Sequence, residues 1–187
     1  MTAGLSVPKE KLDNPPLDLH YLGDKVLRQK AKRITRVDDE TRALAKEMLQ
    51  TMYSAHGIGL AAPQVGVNKR LIVVDTDPDN PENEPIVLVN PEIRKFGKQF
   101  CAFEEGCLSI PGVHLDVMRP DEIEVHYRDE QGKPKRMKAS GLLSRVIQHE
   151  IDHLDGVMFV DRVENEIALS SQLKEQGFAL KSVQRIA

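Results

Sequence analysis

The chain has 187 residues, 40% of them hydrophobic and 29% charged, which suits one soluble globular domain with enough length to bury a core. Its 26 basic and 29 acidic side chains leave a net charge of -3, so no global basic field exists to attract DNA. No apolar run nears the roughly 20 residues that a membrane helix needs, no signal-peptide core opens the chain, and two cysteines do not make a disulfide scaffold, so a reducing cytoplasm is the expected setting.

Residues 1–19 hold Pro8, Pro15 and Pro16 among charged side chains and are expected to form a flexible arm, too short and too poor in arginine to argue a transit peptide. From His20 to Arg28 the pattern predicts a short strand or turn and then one helical turn. Residues 38–56 predict a helix capped by Asp38 or Asp39, with Glu40 at the positive end of its dipole and Gly57 as its stop. Leu44, Ala45, Met48, Leu49, Met52 and Tyr53 form its apolar stripe, read as core. Next, Gly57–Gly66 places three glycines and Pro63 among small apolar residues, which excludes regular helix and predicts close backbone approach or a tight structural turn. No Lys-Ser/Thr follows, so it is a poor phosphate loop, and Gln64 is its one side chain able to hydrogen-bond.

Buried strands are predicted at 71–75 and 86–90, with an exposed Pro-rich loop between them. Further strands are expected at 92–96, 99–104, 113–118, 122–128 and 134–139, the last two joined as a hairpin by Asp129–Gly132. Residues 140–156 then carry apolar positions at helical spacing, with Gly156 as exit. A short strand at 157–161 and a C-terminal helix and tail over 164–187 complete the chain. Strands followed by a helix indicate an α+β fold.

Within that late helix stands His149-Glu150-Ile151-Asp152-His153. Residues four apart share a helix face, so His149 and His153 can grip one metal ion. Glu150 is turned about 100° from His149, where a general base for a bound water belongs. H-E-x-x-H also arises by chance, and a catalytic site needs a third protein ligand. Glu164 and Glu166 are the main downstream candidates, while Asp155 and Asp161 lie close to the motif. Upstream, Cys107 is the better one, between Gly106 and the Pro111-Gly112 turn, whereas Cys101 better suits a buried small hydrophobe. His20, His114 and His126 lack such a context and read as surface or packing residues.

Three stretches, GIGLAAPQVG, EGCLSIPG and QHEIDHLDG, occur in this order, and together they resemble the peptide deformylase family over roughly residues 20–163. The resemblance implies mixed or antiparallel sheets packed around the H-E-x-x-H helix, in a single catalytic domain spanning 20–163. It implies hydrolysis of the formyl group from N-formylmethionine of nascent chains near the ribosome. Cys107, His149 and His153 would hold one divalent ion, Fe(II) by family habit, with Zn, Ni or Co as substitutes. Water in the open position would attack the formyl carbon, Glu150 would move its proton to the leaving amine, and the Gln64 amide and Leu108 N–H would meet the oxyanion.

Backbone near Gly59 and Gly106 would align the peptide as an added strand, and Ile58, Leu142, Val146 and the stem of Arg145 would line the methionine pocket. His56 and Arg145 depart from the family pattern: an ion pair built on an acid at 56 is in doubt, and Arg145 would make the pocket rim more polar. The short neutral tail gives no support to ribosome docking through a basic helix. A bacterial cytoplasm is the expected home, or a plastid in a plant. Two other readings remain open at this point: a zinc peptidase or amidase using a downstream ligand such as Glu164, and a metal-stabilised binding domain without catalysis.

Overall fold

Asp38 opens the first helix. Its carboxylate accepts from both the backbone N–H and the hydroxyl of Thr41, each at 2.9 Å, and α1 runs over Asp39–Ser54. The helix ends in a Schellman turn: His56 N–H donates to the Tyr53 carbonyl, Gly57 N–H to the Met52 carbonyl. The predicted stop is therefore displaced by one residue. His56, at φ 57°, takes the left-handed position, while Gly57 serves close packing, because a Cβ there would lie 2.7 Å from Leu108 Cδ1.

In this computed structural model, which describes residues 4–186, seven strands follow. β1 is Gly59–Ala61, β2 Leu71–Val74, β3 Ile86–Phe96, β4 Phe100–Cys107, β5 Ile110–Pro120, β6 Glu122–Arg128 and β7 Pro134–Ser140. A five-stranded antiparallel sheet has the order β1-β2-β3-β6-β7, and β4-β5 forms a separate antiparallel hairpin between β3 and β6 in sequence. The architecture is α+β, as expected, with the metal-motif helix α2 (Gly141–Leu154) at its centre. The strands predicted at 86–90 and 92–96 are one. Pro91 argues for a break, but Asn90, at φ 51°, turns the chain through a bulge and its side-chain amide bonds both backbone groups of Ile34.

The sheet is covered on both faces, which is why β2 reads as an unbroken apolar run. Leu71 and Val73 face α1 with Met48, Leu49 and Met52, whereas Ile72 and Val74 face α2 with Ile147, Ile151 and Leu154. Side chains of this kind contribute about 1.5–3 kcal/mol each on full burial. A third cluster joins β5 to Phe159, Val160 and α3 (Glu166–Glu175) through Leu169 and Leu173. The predicted strand at 157–161 is instead a 3-10 turn, Phe159–Arg162: Asp161 accepts from Met158 N–H and pairs with Arg28, which curls the segment.

Residues of the predicted arm make specific contacts. Leu5, Val7, Leu17 and Leu19 pack on the α1 cluster, and Lys9 pairs with Asp75 at 2.6 Å. Its first three residues, and the final residue of the tail, lie outside the described part.

Candidate metal centre

α2 is buried on every side from Ser144 to Leu154, so its two long faces meet different partners. One presents Ile147, Ile151 and Leu154 to the sheet. The other presents Arg145, His149 and Asp152, at helical spacing, to the β4-β5 hairpin. Cys107 ends β4 at an irregularity in the register, and there its sulfur meets the helix.

One ligand atom from each of Cys107, His149 and His153 lies within 4.8 Å of the others, and Cys107 Sγ stands 3.3 Å from His153 Nε2. A tetrahedral ion bound at ~2.3 Å to sulfur and ~2.1 Å to nitrogen puts two such ligands roughly 3.6 Å apart, so the donor set fits a metal. Among the described residues this is the one cluster with metal-ligand geometry. Glu164 and Glu166 do not join it; both are exposed, and Glu166 pairs with Arg185. The downstream-ligand alternative therefore has no geometric support.

Glu105 fixes the first histidine. Its Oε2 takes His149 Nδ1 at 2.9 Å and Arg119 Nη2 at 3.0 Å; its Oε1 takes Arg119 Nε at 2.6 Å and Arg145 Nη1 at 2.8 Å. Burial alone would raise the Glu105 pKa, but His149 and Arg119 hold it well below the usual carboxylate range. An ionised carboxylate only accepts, so His149 Nδ1 carries the proton and Nε2 is left free to ligate. Burial opposes charge on His149, while the Cys107 sulfur and Glu105 push its pKa well above the ordinary value. Burial and the neighbouring His149 keep His153 neutral, the state in which imidazole ligates. Behind Glu105, Arg119 bridges to Asp152 at 2.8 Å, and Arg162 grips both Asp152 oxygens.

Glu105 belongs to one of the three motif stretches, but its partners are not evident from the sequence. A periodicity signal exists, since Arg145, His149 and Asp152 share one helical face that is anything but apolar.

The helix and hairpin wall a cleft of about 620 Å³. Except for His153, every site residue expected from the sequence lines it. Gln64 is buried, its Oε1 accepting from Ala61 N–H at 2.9 Å, which turns Nε2 toward Ser109 Oγ at 3.1 Å and Cys107 Sγ at 3.5 Å. Gly59 lies so close to α2 that a Cβ would be 2.5 Å from Glu150 Oε1. Gly106 backs on His114, whose ring would meet a Cβ at 2.8 Å. Burial pushes the Glu150 carboxyl up to about 7, and its Oε2 is buried with no partner among the described residues.

Two expectations need correction. Cys101 is exposed, because β4 is an edge strand of a two-stranded hairpin and most of its residues are exposed. Arg145 does not place its charge at a pocket rim: the residue is buried, and its guanidinium binds Glu105 and the carbonyls of Val117 and Cys101.

Antiparallel sheets around a helix that joins two histidines to a strand-borne cysteine, with a glutamate between the histidines, define a mononuclear metallohydrolase. Residues 16–168 match the polypeptide deformylase family, and the chain belongs to that family. A peptide deformylase of Picosynechococcus sp. is 85% identical over 187 residues, covering 100% of both chains. The crystal structure of a peptide deformylase from Synechococcus elongatus in complex with actinonin superposes with a TM-score of 0.95 at 58% identity, over 96% of this chain and 98% of that one. A Met-Ala-Ser bound deformylase from Acinetobacter baumannii gives a TM-score of 0.73 at 37% identity, over 79% and 98% of the respective chains.

Proposed function

We propose that the chain removes the formyl group from N-formylmethionyl peptides, releasing formate. The observation that carries this is the Cys107/His149/His153 triangle beside a buried glutamate with one oxygen unpaired, in a cleft wide enough for a peptide. When bound, the ion supplies a Lewis acid and a water that loses its proton near neutral pH. Glu150, with its pKa drawn toward neutrality by burial, accepts that proton and delivers it to the departing amine. Gln64 Nε2 and the Leu108 backbone N–H donate to the carbonyl oxygen as negative charge builds on it. Gln64 suits this work because Ala61 N–H fixes which way its amide faces. Backbone at Gly59 and Gly106 aligns the peptide, while Ile58, Leu142, Val146 and the Arg145 stem receive the methionine side chain. The Acinetobacter relative holds Met-Ala-Ser, a peptide of the kind deformylation would release.

A formyl carbon bears only hydrogen, so a slot between Gly59 and Leu108 admits it and excludes larger acyl groups. Fe(II) is the proposed ion, and a site joining it to a thiolate loses activity to oxygen and peroxide. Among the described residues no helix is long and apolar enough to cross a membrane, and cyanobacterial relatives are similar over the full length; a bacterial cytoplasm, acting on nascent chains near the ribosome, is the proposed setting. The test is formate release from formyl-Met-Ala-Ser by protein purified without oxygen, with acetyl-Met-Ala-Ser in parallel. Hydrolysis of the formyl peptide alone is expected; appreciable deacetylation would contradict the slot.

A further inference from the structure

Arg145 lies one turn before His149 and leaves α2 on the same face. Its guanidinium reaches both strands of the hairpin. Nη1 donates to Glu105 Oε1 and to the Val117 carbonyl, each at 2.8 Å, and Nη2 donates to the Cys101 carbonyl at 2.6 Å. The Phe103 ring, exposed at the cleft wall, has its centroid 5.7 Å from the same guanidinium carbon.

Charge balance does not account for these contacts, since Arg119 already binds both oxygens of Glu105. Arg145 adds geometry. Two of its three acceptors are backbone carbonyls, one on β4 and one on β5, and a planar fork holds both at a fixed spacing as a lysine's point charge cannot. β4 goes on to end at Cys107, and helix α2 carries His149 and His153. The side chain therefore joins the two elements whose relative position decides whether three ligands meet at one ion.

We propose that Arg145 is a positioning residue for deformylation: it clamps the β4-β5 hairpin to α2, so that Cys107 stays in register with the two histidines and Phe103 stands as a wall of the peptide cleft. The proposal rests on the deformylase reading for its kinetic part alone. Small misplacements of ligands and walls are costly in such sites, and supporting contacts of this kind commonly change metal affinity by about 10–100-fold.

The test compares Arg145→Gln, Arg145→Lys and Phe103→Leu in the full chain loaded with Co(II). Three quantities are read: metal loss to a chelator, the visible cobalt–thiolate spectrum, and KM against kcat for formyl-Met-Ala-Ser. Both Arg145 variants are expected to lose metal about tenfold faster, to shift the spectrum and to raise KM, with lysine failing to rescue. Phe103→Leu is expected to raise KM several-fold while metal retention and spectrum stay as in the parent. The clamp is overturned if Arg145→Gln keeps all three within twofold, or if lysine restores them, which would leave a role for charge alone. Should neither Arg145 variant fold, Phe103→Leu decides, and an unchanged KM overturns the proposal. If the parent protein releases no formate, the deformylase reading fails, while the chelator and spectral readouts still judge the clamp.

Discussion

Glu105 shows how much a single side chain is asked to do. Four donors from three residues meet its two oxygens, and the one from His149 sets the tautomer of a metal ligand. Glu105→Gln would put an amide N–H against one of these donors and free His149 to reorient. We expect metal affinity to fall about 10–100-fold, as read by chelator competition, with the fold retained. An affinity unchanged within twofold would mean that α2 alone orients the imidazole. Gly59 makes a second case. Gly59→Ala would press a methyl against Glu150 Oε1 and Val146 Cγ1, at 2.5 and 2.8 Å, and is expected to cut kcat/KM at least tenfold without loss of metal. The ligands themselves are legible in the sequence because spacing on a helix is geometry. The partners of Glu105 are not, since Arg119 and Arg145 reach it from other elements and only the packing of hairpin on helix brings them together.

Element by element, legibility follows periodicity. α1 and α2 carry apolar faces at helical spacing, and their ends fall close to the expected positions. Differences arise where one residue's side chain redirects the backbone: Asn90 carries β3 through the break that Pro91 suggests, and Asp161 curls a run of Val, Met and Phe that reads as strand. The exit of α2 supplies a prediction at this scale. Gly156 sits at φ +75°, and a Cβ there would lie 2.8 Å from the Arg28 carbonyl oxygen. Gly156→Ala should therefore destabilise the protein by at least about 1–2 kcal/mol, measured as a lowered urea midpoint with unchanged slope. An unaffected midpoint would show that the turn tolerates a side chain.

For the whole molecule, a buried carboxylate is one of several ties between the N-terminal segment and the body. Asp75, the residue after β2, receives Lys9 at 2.6 Å, the Tyr53 hydroxyl at 2.7 Å and the Asn83 amide at 2.6 Å. Burial alone would raise its pKa, but these donors outweigh burial and hold it below the usual carboxylate value. A carboxylate depressed in the folded state contributes stability above its unfolded pKa of about 3.9, and that contribution is lost as pH falls through the folded value. Thermal scans should accordingly show the parent protein losing stability below about pH 4, with a shallower fall in Asp75→Asn. Identical acid slopes would mean that Asp75 contributes nothing to acid sensitivity. Composition suggests a loose arm; Lys9 finds Asp75 across a sequence separation that no local pattern reveals.

The central claim is that a metal held by Cys107, His149 and His153 works with Glu150 as the proton carrier. The most direct test is formate release from formyl-Met-Ala-Ser by the anaerobically purified parent, Glu150→Gln and Cys107→Ser, with bound metal assayed on the same samples. Rapid release by the parent is expected. Glu150→Gln should keep its metal and lose turnover by about 10²–10⁴-fold, and Cys107→Ser should lose both. Full turnover by Glu150→Gln, or metal retained undiminished by Cys107→Ser, would contradict the claim.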